Sequence, residues 1–292
     1  MRVTDSMITE LARSSVADAR DRALSAQRVA STGIRVEKPS DDPTAAAIGR
    51  RKAAEQARVA GMVQAATRGK STLDSVDDGL SHVDELLARV QELAIQAAND
   101  TASAQDRASL APEVKALREQ ILAVANTRID GKCVMGGMQQ DVAPFDASGA
   151  FVGDRTVPTI EVAPGVRAPT SVSAGDVFTP AGGLDVLGAL DRLATALGGN
   201  DIAGIRTGID DVTTATAQVS AARGALGVSQ GTMTMAVSLG EAMKVRISEV
   251  HANAVEADAY DAISALTTTQ TALQQAVSIA SRLPLPGLAQ KG

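Results

Sequence analysis

Few groups in this sequence could do chemistry. Asp41 and Asp42 form an adjacent carboxylate pair, the arrangement that serves acid–base work when the environment separates two carboxyl pKa values. They lie in Lys38-Pro39-Ser40-Asp41-Asp42-Pro43, where carboxylates between two prolines read first as a turn and a helix cap. Cys133 follows Lys132, a neighbour able to lower a thiol pKa. As the one cysteine of the chain it cannot form an internal disulfide, and a turn position suits it as a small apolar filler. His82 and His251 lie far apart, with no CxxC, HExxH or acidic loop near either, so neither a Ser-His-Asp arrangement nor a metal site can be built on them. The sequence therefore predicts no catalytic, cofactor-binding or metal-ligating residue and no enzyme.

Composition points the same way. The 292 residues include 54 Ala and 25 Gly, while aromatics make up 1%: three Phe, one Tyr and no Trp. The large anchors that dominate ligand pockets are nearly absent. A net charge of −6 gives no basic surface for nucleic acid or an anionic membrane. No stretch of 18 apolar residues spans a bilayer, and residues 3–30 hold no apolar run of a cleavable secretory signal.

The elements follow from periodicity. Ala12, Val16, Ala19, Ala23, Ala26 and Ala30 step by 4, 3, 4, 3 and 4, a helix with a narrow stripe that Gly33 can cap. Pro43 suits the first turn of a second helix, with Asp41 or Asp42 as its cap. Leu73, Val76, Leu80, Val83, Leu87, Val90, Ala94 and Ala97 keep an unbroken heptad rhythm. A turn at Asn99–Ser103 leads to Leu110, Val114, Leu117, Ile121 and Val124, so two helices form a hairpin. Pro112 implies either a helix start near Ser109 or a kink.

Residues 144–180 carry five of the ten prolines and all three phenylalanines, with Val157, Ile160, Val162, Val166 and Val172 in β-favouring runs. Helical spacing returns at Leu184–Leu197 and at Ile205, Ile209, Val212, Thr216, Val219 and Leu226, with Arg223 at a seam position. From Glu241 to Leu283 there is neither Gly nor Pro, which predicts one long helix; in it Ala259, Ile263, Leu266, Gln270, Leu273, Val277 and Ala280 step by 4 and 3. Both terminal stripes are narrow and small, so residues 5–32 should pair with about 250–283. Such a pair is marginal alone. The expected mechanism is assembly-coupled folding, in which the stripes find partner helices only in neighbouring subunits and the termini stay mobile until they do.

The opening Met1-Arg2-Val3-Thr4-Asp5-Ser6-Met7, the segment from Gly33 through Pro39-Ser40-Asp41-Asp42-Pro43 to Ala46, and Leu93–Thr101 resemble the bacterial hook-associated protein 3 family of hook–filament junction proteins. Asp106-Arg107, Ala125-Asn126, Gly131 to Gly137, Pro144-Phe145, Phe151–Asp154, Asp258–Ala262 and Gln270–Gln274 fall in the same family's order. The chain departs at Cys133 and Met135, where the family usually has aromatics, and in the tail Leu283–Gly292.

The resemblance implies a mainly α, elongated, flagellin-like fold. Residues 1–38 and 250–292 would form a terminal coiled coil lining an inner tube, 39–137 and 184–249 a helical rod, and 138–183 a small β-rich insert facing outward. It also implies a structural adaptor: a ring of subunits between hook-associated protein 1 and flagellin, exported without a cleavable signal and aided by a cytoplasmic chaperone. The assembly interface would use Ala12, Val16, Ala19, Ala23, Ala26 and Ala30 with Ala259, Ile263, Leu266, Leu273, Val277 and Ala280. A minor flagellin that forms the filament itself is the alternative; an intracellular helical scaffold ranks below both.

Overall fold

The computed structural model describes residues 3–163 and 165–282. Seven helices and two small hairpins follow in order: α1 Val3–Thr32, α2 Pro43–Ala98, α3 Ala104–Ala125, β1 Arg128–Ile129, β2 Lys132–Cys133, β3 Thr159–Ala163, β4 Val166–Pro169, α4 Ala174–Phe178, α5 Val186–Gly198, α6 Ile202–Val255 and α7 Ala259–Arg282. The chain divides into two compact units, Met1–Arg58 with Met243–Gly292, and Val59–Ala242. Both divisions fall inside the long helices α2 and α6. Tail residues 283–292 lie outside the described residues, as do Met1 and Arg2.

In the Val59–Ala242 unit the heptad stripe of α2 is the core: all eight residues from Leu73 to Ala97 are at most 1% exposed. Against it lie Val114, Leu117 and Ile121 of α3, Leu187, Leu190 and Leu193 of α5, and Ile205, Val212, Val219 and Leu226 of α6. The rhythm breaks at Arg223, whose guanidinium reaches Asp77 at 3.0 Å and Asp84 at 2.9 Å, carboxylates seven residues apart on α2. One cation thus spans two turns of the facing helix and opposes a heptad slip between α2 and α6.

The helix α3 begins at Ala104 and runs through Pro112, so a start near Ser109 is incorrect. A capping box sets the start: Ser103 Oγ accepts from the Asp106 N–H, and the Asp106 carboxylate accepts from the Ser103 N–H. The bond that Pro112 forgoes is offset by the burial of Ala111 and Val114 on either side.

The insert is mostly irregular. Its one hairpin, β3–β4, pairs Ile160 with Ala168 and Glu161 with Arg167. Around it Phe145 packs edge-on against Phe151 and Phe178, with ring centroids 5.5 and 6.0 Å apart. Cys133 and Met135 are buried, so the two positions at which the chain departs from the resemblance hold non-aromatic core side chains. Gly137 has φ +65, and a Cβ there would collide with the Asp154 carbonyl, so only glycine fits. The buried Arg118 fastens this region to the bundle: it donates to the Ser148 carbonyl at 2.7 Å and pairs with Asp191 of α5 at 2.9 Å.

The predicted single helix from Glu241 to Leu283 is two helices. Helix α6 ends at Val255 and α7 starts at Ala259, although neither Gly nor Pro intervenes. Asp258 causes the restart, its carboxylate accepting from the N–H groups of Tyr260 and Asp261 as a side-chain cap. The freed backbone pairs with the segment after α1, so the break leaves few polar groups unsatisfied.

Candidate assembly surface

The Met1–Arg58 and Met243–Gly292 unit contains the terminal pair, α1 packed on α7. The structure places all six residues of the α1 stripe on the covered side: Ala23 is 7% exposed, and Ala12, Val16, Ala19, Ala26 and Ala30 are half-buried. Their partner is therefore α7 of the same chain, which corrects the expectation that such stripes find helices only in neighbouring subunits.

On α7 the covered stripe is Ala262, Leu266, Thr269, Leu273, Ala276 and Ala280. Of the residues expected there, Leu266, Leu273 and Ala280 are half-buried, whereas Ala259, Gln270, Ile263 and Val277 are exposed. The reset at Asp258 accounts for this: α7 starts as a separate helix, and its phase is set by contact with α1 rather than by continuation of α6.

Sequence reasoning named Ile263 and Val277 for the interface but missed the rest of a second apolar flank. Met7, Ile8, Leu11 and Leu24 on α1, with Tyr260, Ile263, Val277 and Ile279 on α7, are large side chains open to solvent. Exposures of 70% at Leu11 and 61% at Ile263 leave most of their surface uncovered. Near one end, Ile8, Leu11, Ala12, Ala276 and Ile279 line an open groove of about 490 Å³ between the two helices. Its electrostatics are flat. Residues 262–281 carry no charged side chain, and the four acidic groups of α1 balance its four arginines. Contacts on this surface depend on shape and apolar area, not on steering by charge.

The Pro39–Pro43 turn positions the entry to α2. Asp41 accepts from the N–H groups of Lys38 at 2.8 Å and Glu37 at 3.1 Å, closing the link after α1. Asp42 accepts from the Ala45 N–H at 2.9 Å, which makes it the cap of α2 and resolves which aspartate serves. The Lys38 N–H chiefly holds the Asp41 carboxyl below its ordinary pKa, and the Ala45 N–H does so for Asp42. Each is committed to backbone, so the pair is structural. Ser40 lies exposed at the tip of the turn.

Elsewhere, His82 is exposed beside Glu85 at 3.3 Å, and His251 lines an apolar hollow with Ile34, Val36, Gly49 and Val255. Among the described residues no group of three or more His, Cys, Asp or Glu side chains is placed to hold a metal ion, and no helix is long and apolar enough to cross a membrane.

Comparison with known proteins places this geometry. Residues 3–139 match the bacterial flagellin N-terminal helical region, and residues 209–284 match the bacterial flagellin C-terminal helical region. The flagellar hook-associated protein 3 of Salmonella typhimurium is 32% identical over 164 residues, covering 56% of this chain and 52% of that protein. The Escherichia coli protein of the same name is 37% identical over 125 residues, covering 42% and 39%. The chain thus matches about half or less of the length of these curated relatives. Among solved structures, a putative flagellar hook-associated protein from Vibrio parahaemolyticus superposes with a TM-score of 0.68 at 24% identity, over 74% of this chain and 100% of that one.

Proposed function

The chain is a flagellin-like protein, carrying both terminal helical regions of that family in the fold of the hook-associated proteins, and we propose from this that it is a structural subunit of the bacterial flagellum. Its role is that of an adaptor ring between hook-associated protein 1 and the flagellin filament. Residues 1–38 and 250–292 face the inner tube, 39–137 and 184–249 form the rod, and 138–183 face outward. A cytoplasmic chaperone accompanies the chain before export.

The observation that carries this reading is the exposed apolar flank of the terminal pair. α1 and α7 bury narrow stripes against each other and leave large side chains, Leu11, Ile263 and Ile279 among them, in water. A soluble subunit that rests in this state gains its missing burial from neighbouring copies, so ordering of the terminal pair is completed by association.

Deletion of the gene in its own flagellated source tests the reading. Hooks without filaments, with flagellin shed into the medium, are expected. Normal or merely shortened filaments would instead make the chain a minor flagellin.

A further inference from the structure

We infer that the two crossings joining the terminal pair to the remainder of its unit form a clasp, from which α1 and α7 zip together with the clasped end first. The crossings are residues 33–36, leaving α1, and 254–257, leaving α6. They are bound by backbone: Ala257 donates to the Gly33 carbonyl at 2.8 Å, while Arg35 and Val36 both donate to the Val255 carbonyl, at 2.8 and 3.1 Å. Ile34 and Glu256 form an antiparallel bridge. The Arg35 side chain adds a bond to the Ala254 carbonyl at 2.9 Å and an ion pair with Asp42 at 3.3 Å, joining the end of α6 to the cap of α2.

None of these contacts requires α1 or α7 to be helical. Gly33, at φ +70, takes the left-handed turn that ends α1 without strain, and Asp258 caps α7 from its own loop. The clasp therefore stands on the α2 and α6 side and presents two helix starts already in antiparallel register. Zipping from there adds one neighbouring turn at a time, whereas joining the far ends first would close a large loop before any contact is gained.

The packing has the matching gradient. Ala23 and Ala262, the buried residues of α1 and α7 among those described, both lie in the clasped half. The open groove between the helices lies at the other end, over residues 8–15 and 272–280.

Amide hydrogen exchange on the full chain tests this. In the unaltered protein, protection should fall steadily from residues 23–30 and 259–266 toward 8–15 and 272–280. Ala257→Pro removes the N–H bonded to Gly33, at a position outside both helices that follows the bridge residue Glu256. It should speed exchange throughout α1 and α7 by about tenfold or more, leaving residues 73–97 unchanged as a control. Arg35→Ala should act the same way more weakly, which covers the case in which the proline variant fails to fold. Ala12→Gly with Ala276→Gly should speed exchange only at the open end. Uniform protection along both helices, or an open-end variant that loosens the clasped end equally, would overturn the proposal.

Discussion

Arg107 donates to the Asn200 side-chain oxygen at 2.8 Å, joining the first turn of α3 to the turn before α6. The same buried guanidinium donates to the carbonyls of Ala97 at 2.7 Å and Asn99 at 3.0 Å, groups that the end of α2 leaves without helical partners. Three acceptors from two turns thus converge on one planar fork.

Arg107→Ala should lower unfolding stability by about 2–4 kcal/mol, because it strands the carbonyl of the buried Ala97 as well as removing charged hydrogen bonds. Arg107→Lys should recover little, since an ammonium cannot serve three divergent acceptors from one plane. Urea denaturation followed by circular dichroism measures both; a loss within experimental error for the alanine variant would refute the role.

Acid should loosen two helix starts and the 146–150 turn of the insert before it affects the core. Asp106 is held below its ordinary value of 3.8 chiefly by the Ser103 hydroxyl, Asp42 by the Ala45 N–H, and Asp146 by the Ser148 hydroxyl. A carboxyl with a depressed folded pKa stabilises fully above its unfolded value and loses that contribution as pH falls through the folded one. Thermal melts should thus be flat from pH 7 to about 5 and decline below about 4. Asp106→Asn should remove part of that slope.

Glycine substitutions should have opposite signs at different sites. Gly227 lies mid-helix in α6 with nothing near the position of a Cβ, so Gly227→Ala should stabilise by about 0.5–1 kcal/mol. Gly137→Ala forces a Cβ into the Asp154 carbonyl at positive φ and should cost about 2 kcal/mol or more. Differential scanning calorimetry of the two variants gives the comparison.

The open flank should separate assembly from folding. Leu11→Ser and Ile263→Ser replace side chains 70% and 61% exposed, so the isolated chain should melt within about 0.5 kcal/mol of the unaltered one. Complementation of a deletion strain should nonetheless fail for the double variant, with flagellin shed into the medium. Full restoration of filaments would remove this flank from the interface.

The bundle was legible because its signal is redundant: eight positions from Leu73 to Ala97 repeat one spacing, and each is buried. The seam at Arg223 was also visible as an interruption, although its partners Asp77 and Asp84 emerge only once α2 and α6 are set side by side. The break at 256–258 was not legible, because no residue there forbids a helix. Its cause is tertiary, a backbone pairing with residues 33–36 that are more than 200 positions away. On α7, apolar residues on two adjacent flanks fit two heptad phases equally well, and packing on α1 decides between them.

Cys133 is the only thiol of the sequence and is fully shielded in the fold. A thiol reagent can therefore reach it only when the surrounding structure opens. Its labelling rate is a built-in clock for the opening of the Val59–Ala242 unit, readable without any engineered probe and silent to whatever the terminal helices do.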